Sequence, residues 1–356
     1  MKLSLLTCLA ASAASLALAA GVASAADAAQ SSSTPKPVYF IFTGYAYPYF
    51  APMAEAVKQA AAHYPDMAIK IVNANNSASD EIADINEAIA AGAKGVILNT
   101  IQESVTATAE KAMKAGVPVV TIDRDVSNPE ARVAFIGDND ETLGREETQY
   151  GIDALAKMNV PKPWHVAVLQ GTLGASVSIG RLKGAMDVLQ LLMDKKEVEV
   201  VLNQSANFAT DTAQTMMSAE LAKTTDIQLV VCGNDAMALG VINTLKTHGI
   251  TPGEKTLVVG ADAQPESLSA VRSGAQLDTV THSPFVEAYW AVEAMADYLK
   301  NGEKPPLAEF AHGDIIIPMT LVTKANVDQV AAWGTPQQIA PLPYGPSQTF
   351  DVTAAK

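Results

Sequence analysis

The sequence is almost free of cysteine, with only Cys8 and Cys232 among its 356 residues. Cys8 lies in an N-terminal segment that we predict to be removed on export, which leaves Cys232 without a partner for an internal disulfide. A zinc–thiolate cluster is excluded for the same reason, and the five histidines show no metal-ligand spacing. We therefore expect large hydrophobic cores in place of covalent links, and neither a metal nor a cofactor.

Basic residues are also scarce in this chain. The 24 Lys and Arg are outnumbered by 38 Asp and Glu, which gives a formal net charge of −14 at pH 7. Phosphate backbones and anionic membrane surfaces repel a chain of this charge, so we expect no nucleic-acid partner. Beyond residue 20 the sequence lacks an apolar run long enough to span a bilayer, and we expect a soluble mature chain.

The one long apolar run lies at the N-terminus, over residues 3–20, with Lys2 as the only charge before Asp27. Small residues at Ala23 and Ala25 fit the rule for signal peptidase, so residues 1–25 are predicted to be a cleavable signal peptide. A lipid anchor on the cysteine of this run is disfavoured, because that residue lies too early. Residues 26–37 are expected to form a disordered lead-in. Export, acidity and the lack of disulfides together predict a bacterial periplasm.

From residue 38 onward, short apolar runs alternate with helical patterns. The runs cover residues 38–42, 68–73, 95–99, 117–123, 133–137, 165–170, 198–203, 227–233, 256–262, 277–282 and 315–323. This alternation predicts an α/β fold with parallel sheets that helices cover on both faces. So many strands exceed an ordinary single sheet, and we expect two doubly wound lobes. The residues from Pro318 onward hold one strand and then a Pro/Gln-rich tail, expected to lie on the surface.

Polar side chains follow the predicted strands at the points where the strands end. They are Asn73 to Asn76, Asn99 with Thr100, Asp123 to Asp125, Gln170, Asn203 with Gln204, Asn234 with Asp235, Asp262 and His282. In open parallel sheets ligands bind outside the carboxyl ends of the strands. Amide and carboxylate groups suit neutral polyhydroxylated ligands, whose hydroxyls both donate and accept hydrogen bonds. The pattern predicts a binding cleft for a sugar or a polyol.

Aromatic residues are few, yet four of the 20 fall within residues 43–50. Tyr45, Tyr47, Tyr49 and Phe50 follow the first strand, where polar turn residues are usual. The C–H face of a sugar ring packs against a flat π-system, so we interpret these rings as one wall of the cleft. Tyr49 and Phe50 are better placed for this than the first two tyrosines, which fit the core or the rim equally well. The ring of Tyr49 is expected to matter more than its hydroxyl.

Each of these residues also has a purely structural interpretation. Asn and Asp after a strand are common as turn and N-cap residues, and Asp235 fits the N-cap of the next helix. Residues 123–125 could form a solvated, salt-bridged loop, and Cys232 fits a small buried hydrophobe.

The sequence does not match two common enzyme motifs. Residues 171–176 lack the lysine of a phosphate loop, and residues 174–178 lack the last glycine of the nucleophile elbow. We therefore predict a binding protein and no enzyme.

These residues and motifs resemble the type I periplasmic solute-binding proteins of the ribose/galactose-binding family over residues 38–325. The most specific shared motifs are TIDRD at residues 121–125 and NDAMALG at residues 234–240. The resemblance implies two similar lobes that are joined by three crossovers and close on a sugar. It implies a first lobe of residues 38–138 with 283–317 and a second of residues 139–282 with 318–330. Residues 331–356 remain as a surface tail.

The same resemblance implies an aromatic pair at Tyr49 and Phe50. Further ligand contacts fall on Asn99, Asp123 and Arg124 in the first lobe, on Phe208, Asn234 and Asp262 in the second, and on His282 in a hinge strand. The crossovers are expected near residues 138–139, residues 282–283 and Pro318.

Three positions depart from the ribose-binding pattern. Tyr47 replaces an Asn of the ribose binders, and His282 replaces a Gln. Their second sugar-binding arginine aligns with Ile179, two residues before Arg181. We therefore expect a more aromatic site with one cation fewer, which favours a different sugar or a polyol. The sequence leaves open whether Arg181 or Gln170 reaches the ligand.

The sequence allows three functions. The leading hypothesis is a monomeric binding protein that delivers a neutral polyhydroxylated solute to the permease of an ABC importer. A sensor that presents the same solute to a chemoreceptor or histidine kinase is the alternative. An exported sugar-processing enzyme is third, because only Asp123, Asp262 and His282 could serve its chemistry.

Overall fold

A computed structural model describes residues 36–333, 337–344 and 350–352 of the chain. The predicted signal peptide and nearly all of the predicted lead-in lie outside the described residues. Within that part of the chain, no helix combines the length and the apolar character that crossing a membrane requires.

The helices and strands alternate as the sequence pattern predicts. In chain order they are β1 (Val38–Phe42), α1 (Phe50–Ala61), β2 (Ile69–Asn73), α2 (Ala78–Ala90), β3 (Gly95–Asn99), α3 (Thr106–Lys114), β4 (Val119–Ile122), β5 (Ala134–Gly137), α4 (Asp140–Lys157), β6 (Trp164–Gln170), α5 (Ser176–Asp194), β7 (Val198–Ser205), α6 (Thr210–Leu221), β8 (Leu229–Cys232), α7 (Asp235–Thr247), β9 (Leu257–Val259), α8 (Pro265–Ser273), β10 (Asp278–Val280), α9 (Pro284–Asn301), β11 (Asp314–Ile316), β12 (Leu321–Thr323), β13 (Gln337–Ile339) and β14 (Phe350–Val352).

The strands form two sheets of six, and the predicted α/β architecture of two lobes is confirmed. The first sheet has the order β11-β5-β4-β3-β1-β2 and is parallel throughout. The second has the order β12-β10-β9-β8-β6-β7 and is parallel except for β12, which runs antiparallel to β10. We call the two halves the first and the second lobe. The chain crosses between them after β5, after β10 and after β11.

The central strands are buried on both faces because helices pack against both faces of each sheet. In β1, Phe40 belongs to the apolar cluster that α1 and α9 share, whereas Ile41 belongs to the cluster of α2 and α3. In β6, Leu169 lies on the side of α6 and α7, whereas Val168 lies on the side of α4 and α5. Alternate side chains of a strand point to opposite faces, so each apolar run contributes to two cores. That is why each run is apolar at every position instead of alternating between apolar and polar residues.

The structure corrects the prediction for residues 315–323, which form two strands instead of one. β11 belongs to the first sheet and β12 to the second, with Pro318 between them. Proline has no N–H for a strand ladder, so the run breaks there and the chain changes lobes. The tail also differs from the prediction of a surface segment. β13 pairs with β14, and Ile339, Leu342 and Tyr344 are buried.

Glycines let α4 and α5 approach unusually closely. A Cβ atom on Gly144 would lie 2.1 Å from the carbonyl oxygen of Arg181, and one on Gly184 would lie 2.0 Å from that of Glu141. Only residues without a side chain fit at such a contact. The approach fixes α5 against the start of α4, and both helices begin at the cleft between the lobes.

Candidate functional site

A cavity lies between the lobes, at the carboxyl ends of their strands. It is lined by Tyr47, Pro48, Tyr49, Phe50, Asp123, Arg124, Val177, Arg181, Phe208, Asn234, Ala236, Asp262, Gln264, His282 and Trp333. Nine of the ten residues predicted from the sequence are therefore brought together, and Asn99 is the exception. The register of the first sheet explains the convergence, since β1 lies beside β3 with Phe42 opposite Asn99 and the strand ends align.

Aromatic rings from both lobes surround one arginine. The Arg124 guanidinium carbon lies 5.3 Å from the ring centre of Phe50, 5.5 Å from that of Phe208 and 5.9 Å from that of Tyr47. These distances are typical of cation–π contacts. The Nε and Nη1 groups of Arg124 are buried and have no hydrogen-bond partner among the described residues. A ligand with acceptor oxygens would supply those partners.

Asp123 is held in place from behind by Asn99. The Asn99 Nδ2 donates to Asp123 Oδ2 at 2.7 Å and to the Ile122 carbonyl at 3.2 Å, while its Oδ1 accepts from the Thr43 amide. The prediction that Asn99 contacts the ligand is thus not supported by its position, because neighbouring strand ends bring the two side chains into contact with each other. Burial raises the pKa of Asp123, while His282 and Arg124 favour its ionised form.

The backbone is strained where several lining residues lie. The φ angles are +61° at Asp123, +56° at Phe208 and +103° at Asp262. Residues other than glycine rarely adopt positive φ angles, because their side chains clash with the backbone there. Each such residue costs about 1–3 kcal/mol and persists only where the surrounding structure enforces it. In this backbone conformation the side chains of all three residues line the cavity.

The end of β8 shows which of two adjacent residues caps the next helix. Asn234 is the N-cap of α7, because its Oδ1 accepts from the Met237 amide at 3.0 Å. The prediction of Asp235 as the cap is wrong. Asp235 is fully buried and accepts from the Gln264 amide and from Thr279 Oγ1, and burial raises its pKa to about 8. It therefore supports the loop that carries Asp262.

Arg181 corrects the prediction of one cation fewer. Its Nη1 donates to Asp262 Oδ1 at 2.8 Å, and its Nε donates to Asp140 Oδ1 at 2.9 Å. It lines the cavity although it lies two residues after the position of the family arginine. The close packing of α4 on α5 places its side chain there. Gln170 instead donates to Asn203 at the edge of the second sheet.

His282 links the two lobes at the hinge. Arg181 Nη2 lies 2.7 Å from His282 Nδ1, and His282 Nε2 lies 2.8 Å from Glu287 Oε1. Burial lowers the pKa of His282, but the charges of Glu287 and Asp138 outweigh burial and raise the pKa well above its ordinary value. Tyr49 donates its hydroxyl to the other oxygen of Glu287, also at 2.8 Å. Burial raises the pKa of Glu287 to about 8, although His282 favours the ionised form.

Asp123, His282 and Glu287 also bring potential metal-ligand atoms within 4.8 Å of one another. Two of these atoms, His282 Nε2 and Glu287 Oε1, already lie within hydrogen-bond distance of each other, at 2.8 Å. The arrangement is therefore better described as a hydrogen-bonded chain that runs from Tyr49 to Arg181.

Glu287 and Trp333 were not predicted from the sequence. Glu287 is on α9, and Trp333 belongs to the tail; neither directly follows a strand, so the pattern of polar residues at strand ends does not include them. The only sequence signal for the tryptophan is its rarity, since the chain has three. Its ring centre lies 5.1 Å from that of Tyr49, at an interplanar angle of 83°.

Direct hydrogen bonds hold the lobes together at the rim of the cleft. The Glu103 amide donates to the Gly174 carbonyl at 3.0 Å, and the Asp125 amide donates to Ser176 Oγ at 2.8 Å. The first residue of each pair is in the first lobe and the second is in the second lobe. The two lobes are therefore in direct contact at the rim of the cleft.

Comparison with known proteins agrees with this geometry. The model of the periplasmic binding protein domain matches residues 38–304. The ribose import binding protein RbsB of Bacillus subtilis is 30% identical over 258 residues, which cover 72% of this chain and 79% of that protein. The crystal structure of a Caulobacter myo-inositol binding protein is 26% identical with a TM-score of 0.74, covering 84% of this chain and 97% of that one. A solute binding protein from Bacillus halodurans with bound myo-inositol has the same identity and a TM-score of 0.73, covering 84% and 98%. The chain belongs to the type I periplasmic solute-binding proteins of the ribose/galactose-binding family.

Proposed function

We propose that this protein captures a neutral sugar or polyol between its lobes and delivers it to the permease of an ABC importer. The observation that carries the proposal is Arg124, whose buried Nε and Nη1 have no hydrogen-bond partner among the described residues and lie among aromatic rings of both lobes. The nearest carboxylate oxygen, Asp123 Oδ2, is 3.6 Å from Nε. An unpaired buried donor costs about 1–3 kcal/mol, so a ligand with acceptor oxygens relieves that cost.

The rest of the cavity fits the same class of ligand. Asp123 and Asp262 offer acceptors from opposite lobes, and Asn234 lies beside them. A hydroxyl donates to a carboxylate while it accepts from Arg124, which a purely apolar ligand cannot do. Tyr47, Tyr49, Phe50, Phe208 and His282 complete the proposed set of contacts. The named ligands of the relatives, ribose and myo-inositol, belong to this class.

Transport is favoured over the alternatives by the relatives' names, which describe import and solute-binding proteins. We propose a periplasmic location, entered through the signal peptide, and action as a monomer. A sensor would use the same closed form to contact a chemoreceptor, so deletion of the gene should be tested for both uptake and chemotaxis. An enzyme would convert a bound sugar during incubation, and we expect the compound to be recovered unchanged.

We also propose that the lobes move as units, with boundaries at residues 138–139, 282–283 and 317–318. Each lobe supplies only part of the hydrogen-bonding groups around the cavity, so a ligand bound to both stabilises the closed form.

A thermal-shift screen of ribose, galactose, myo-inositol, xylitol, glucitol and amino acids tests the proposal. A compound at about 100 times its Kd stabilises the native state by about 2.7 kcal/mol, and we expect at least one sugar or polyol to do so. Arg124→Met keeps the apolar contacts of the side chain but removes its donors, so we expect it to lose that shift. Lys58→Met, which removes an exposed cation of α1, is the control and should keep it. Shifts with amino acids alone would overturn the proposed ligand class.

A further inference from the structure

The C-terminal segment, residues 327–333 and 337–344, begins against the second lobe. Val327 is buried in a cluster with Leu268 and Val271 of α8, and Val330 packs against that cluster. Asp328 accepts a hydrogen bond from Arg272 at 2.8 Å. The start of the segment is thereby fixed to the second lobe.

The same segment ends against the first lobe. β13 lies beside α9, and the Ala340 carbonyl accepts from the indole of Trp290 on that helix at 2.8 Å. The ring of Tyr344 lies 5.9 Å from that of Phe310, which precedes β11. The chain therefore joins the lobes a fourth time, in addition to the three crossovers of the family fold.

Trp333 lies where this fourth connection passes the cavity. Its Nε1 donates to the carbonyl of Asp262 at 3.0 Å and to that of His282 at 3.2 Å. Both carbonyls follow strands of the second sheet, whereas the Tyr49 ring that Trp333 contacts belongs to the first lobe. Because the N–H group is used by the protein, the indole has only apolar ring surface to offer a ligand.

We propose that Trp333 is a ligand-contacting residue that selects ring-shaped sugars or cyclic polyols over open-chain polyols. The inference rests on the proposed function. The nearly perpendicular rings of Tyr49 and Trp333 form an apolar corner, and a rigid ring presents a flat C–H face to such a surface. An open-chain polyol must instead lose the freedom of several torsions to match the same corner.

Calorimetric titration of the full chain with ribose, galactose, myo-inositol, xylitol and glucitol tests this. We expect the wild type to bind a cyclic compound most tightly, and Trp333→Ala to bind it about ten- to a hundredfold more weakly. Trp333→Phe keeps a ring and should lose less than about tenfold. Trp164→Phe is the matched control, because Trp164 is a buried tryptophan of β6 outside the cavity lining. It should bind as the wild type does.

Tryptophan fluorescence gives a second measurement that does not depend on full stability of the alanine variant. We expect the cyclic ligand to change the emission of the wild type and of Trp164→Phe but not that of Trp333→Phe. Unchanged affinity in a folded Trp333→Ala protein, or tightest binding of an open-chain polyol, would overturn the inference while leaving the proposed function intact. Failure of every sugar and polyol to bind the wild type would instead overturn the proposed function itself.

Discussion

At the scale of single residues, Tyr49 serves the site with two different parts of its side chain. Its ring lines the cavity beside Phe50 and Trp333, as the aromatic pattern predicts. Its hydroxyl is buried and donates to Glu287, a contact that no local pattern indicates. Burial, and after it the charge of Glu287, raise the pKa of the phenol well above its ordinary value, so it remains a donor. The ring is still expected to matter more than the hydroxyl for ligand affinity, whereas the hydroxyl contributes to the stability of the fold through Glu287.

Removal of that hydroxyl is expected to cost stability. Tyr49→Phe leaves one oxygen of the buried Glu287 without its donor, so the free energy of unfolding should fall by about 1–3 kcal/mol. Tyr45→Phe is the control, because Tyr45 is 55% exposed; its effect should stay within about 0.5 kcal/mol. Urea unfolding curves of the unliganded proteins measure both. Equal stability of the two variants would show that the Glu287 contact contributes nothing.

At the scale of elements, the contact between α4 and α5 decides where Arg181 lies. Gly144→Ala should destabilise the protein by several kcal/mol, because its Cβ would meet backbone of α5 at 2.1 Å. The variant should also bind ligand more weakly, since α5 carries Arg181. Gly151→Ala on the same helix is the control: its Cβ would lie 2.9 Å from a Leu229 methyl, the end of a side chain that can turn away. Chemical unfolding and ligand titration compare the two, and the idea fails if Gly151→Ala is the more harmful.

Helix α2 carries a buried acid that makes stability depend on pH. Glu81 Oε2 accepts from the Ile101 amide at 2.9 Å, and burial raises the pKa of Glu81 to about 8 from an ordinary 4.5. Between those values the folded chain keeps a proton that the unfolded chain releases. The contribution of Glu81 is therefore fully present below pH 4.5 and declines as the pH rises toward 8, by up to about 1.4 kcal/mol per pH unit.

Glu81→Gln cannot titrate but keeps an oxygen for the Ile101 amide. Its free energy of unfolding should fall less between pH 5 and pH 8 than that of the wild type. Glu55→Gln removes a carboxylate whose side chain is 42% exposed and should keep the wild-type slope. Denaturant midpoints across this range provide the measurement; parallel curves for Glu81→Gln and the wild type would contradict the assignment.

At the scale of the whole molecule, rim contacts between residues that do not line the cavity should affect affinity. Ser176→Ala removes the acceptor for the Asp125 amide and so weakens the closed form by about 0.5–1.5 kcal/mol. Since a ligand that bridges the lobes binds the closed form, its Kd should rise by about two- to tenfold. Ser269→Ala, on the exposed side of α8, is the control. Small-angle scattering should show compaction at saturation in all three proteins. An unchanged radius of gyration in the wild type would contradict closure.

The sequence by itself determined the alternation of elements and most of the site. Apolar runs such as residues 38–42 are continuous because helices cover both faces of each sheet, and this alternation predicts parallel strands. Parallel strands end at one edge of a sheet, so the residues that follow them lie close together whatever the length and sequence of the connecting segments. That geometry brings Asp123 and Arg124 to one edge of the first sheet, and Asn234 and Asp262 to one edge of the second. The arrangement of the two lobes then makes these edges face the same cavity.

Only the tertiary structure decided which side chains from outside the strand ends reach the cavity. Arg181 lines the cavity because two glycines let α5 approach α4, and Trp333 lines it because the tail joins both lobes. Glu287 contacts two residues that line it, Tyr49 and His282. The structure also distinguishes neighbours that the pattern treats alike, since Asp123 lines the cavity, whereas Asn99 donates to Asp123 and does not line it. Strand ends follow from local periodicity, whereas these contacts depend on distances between elements far apart in the chain.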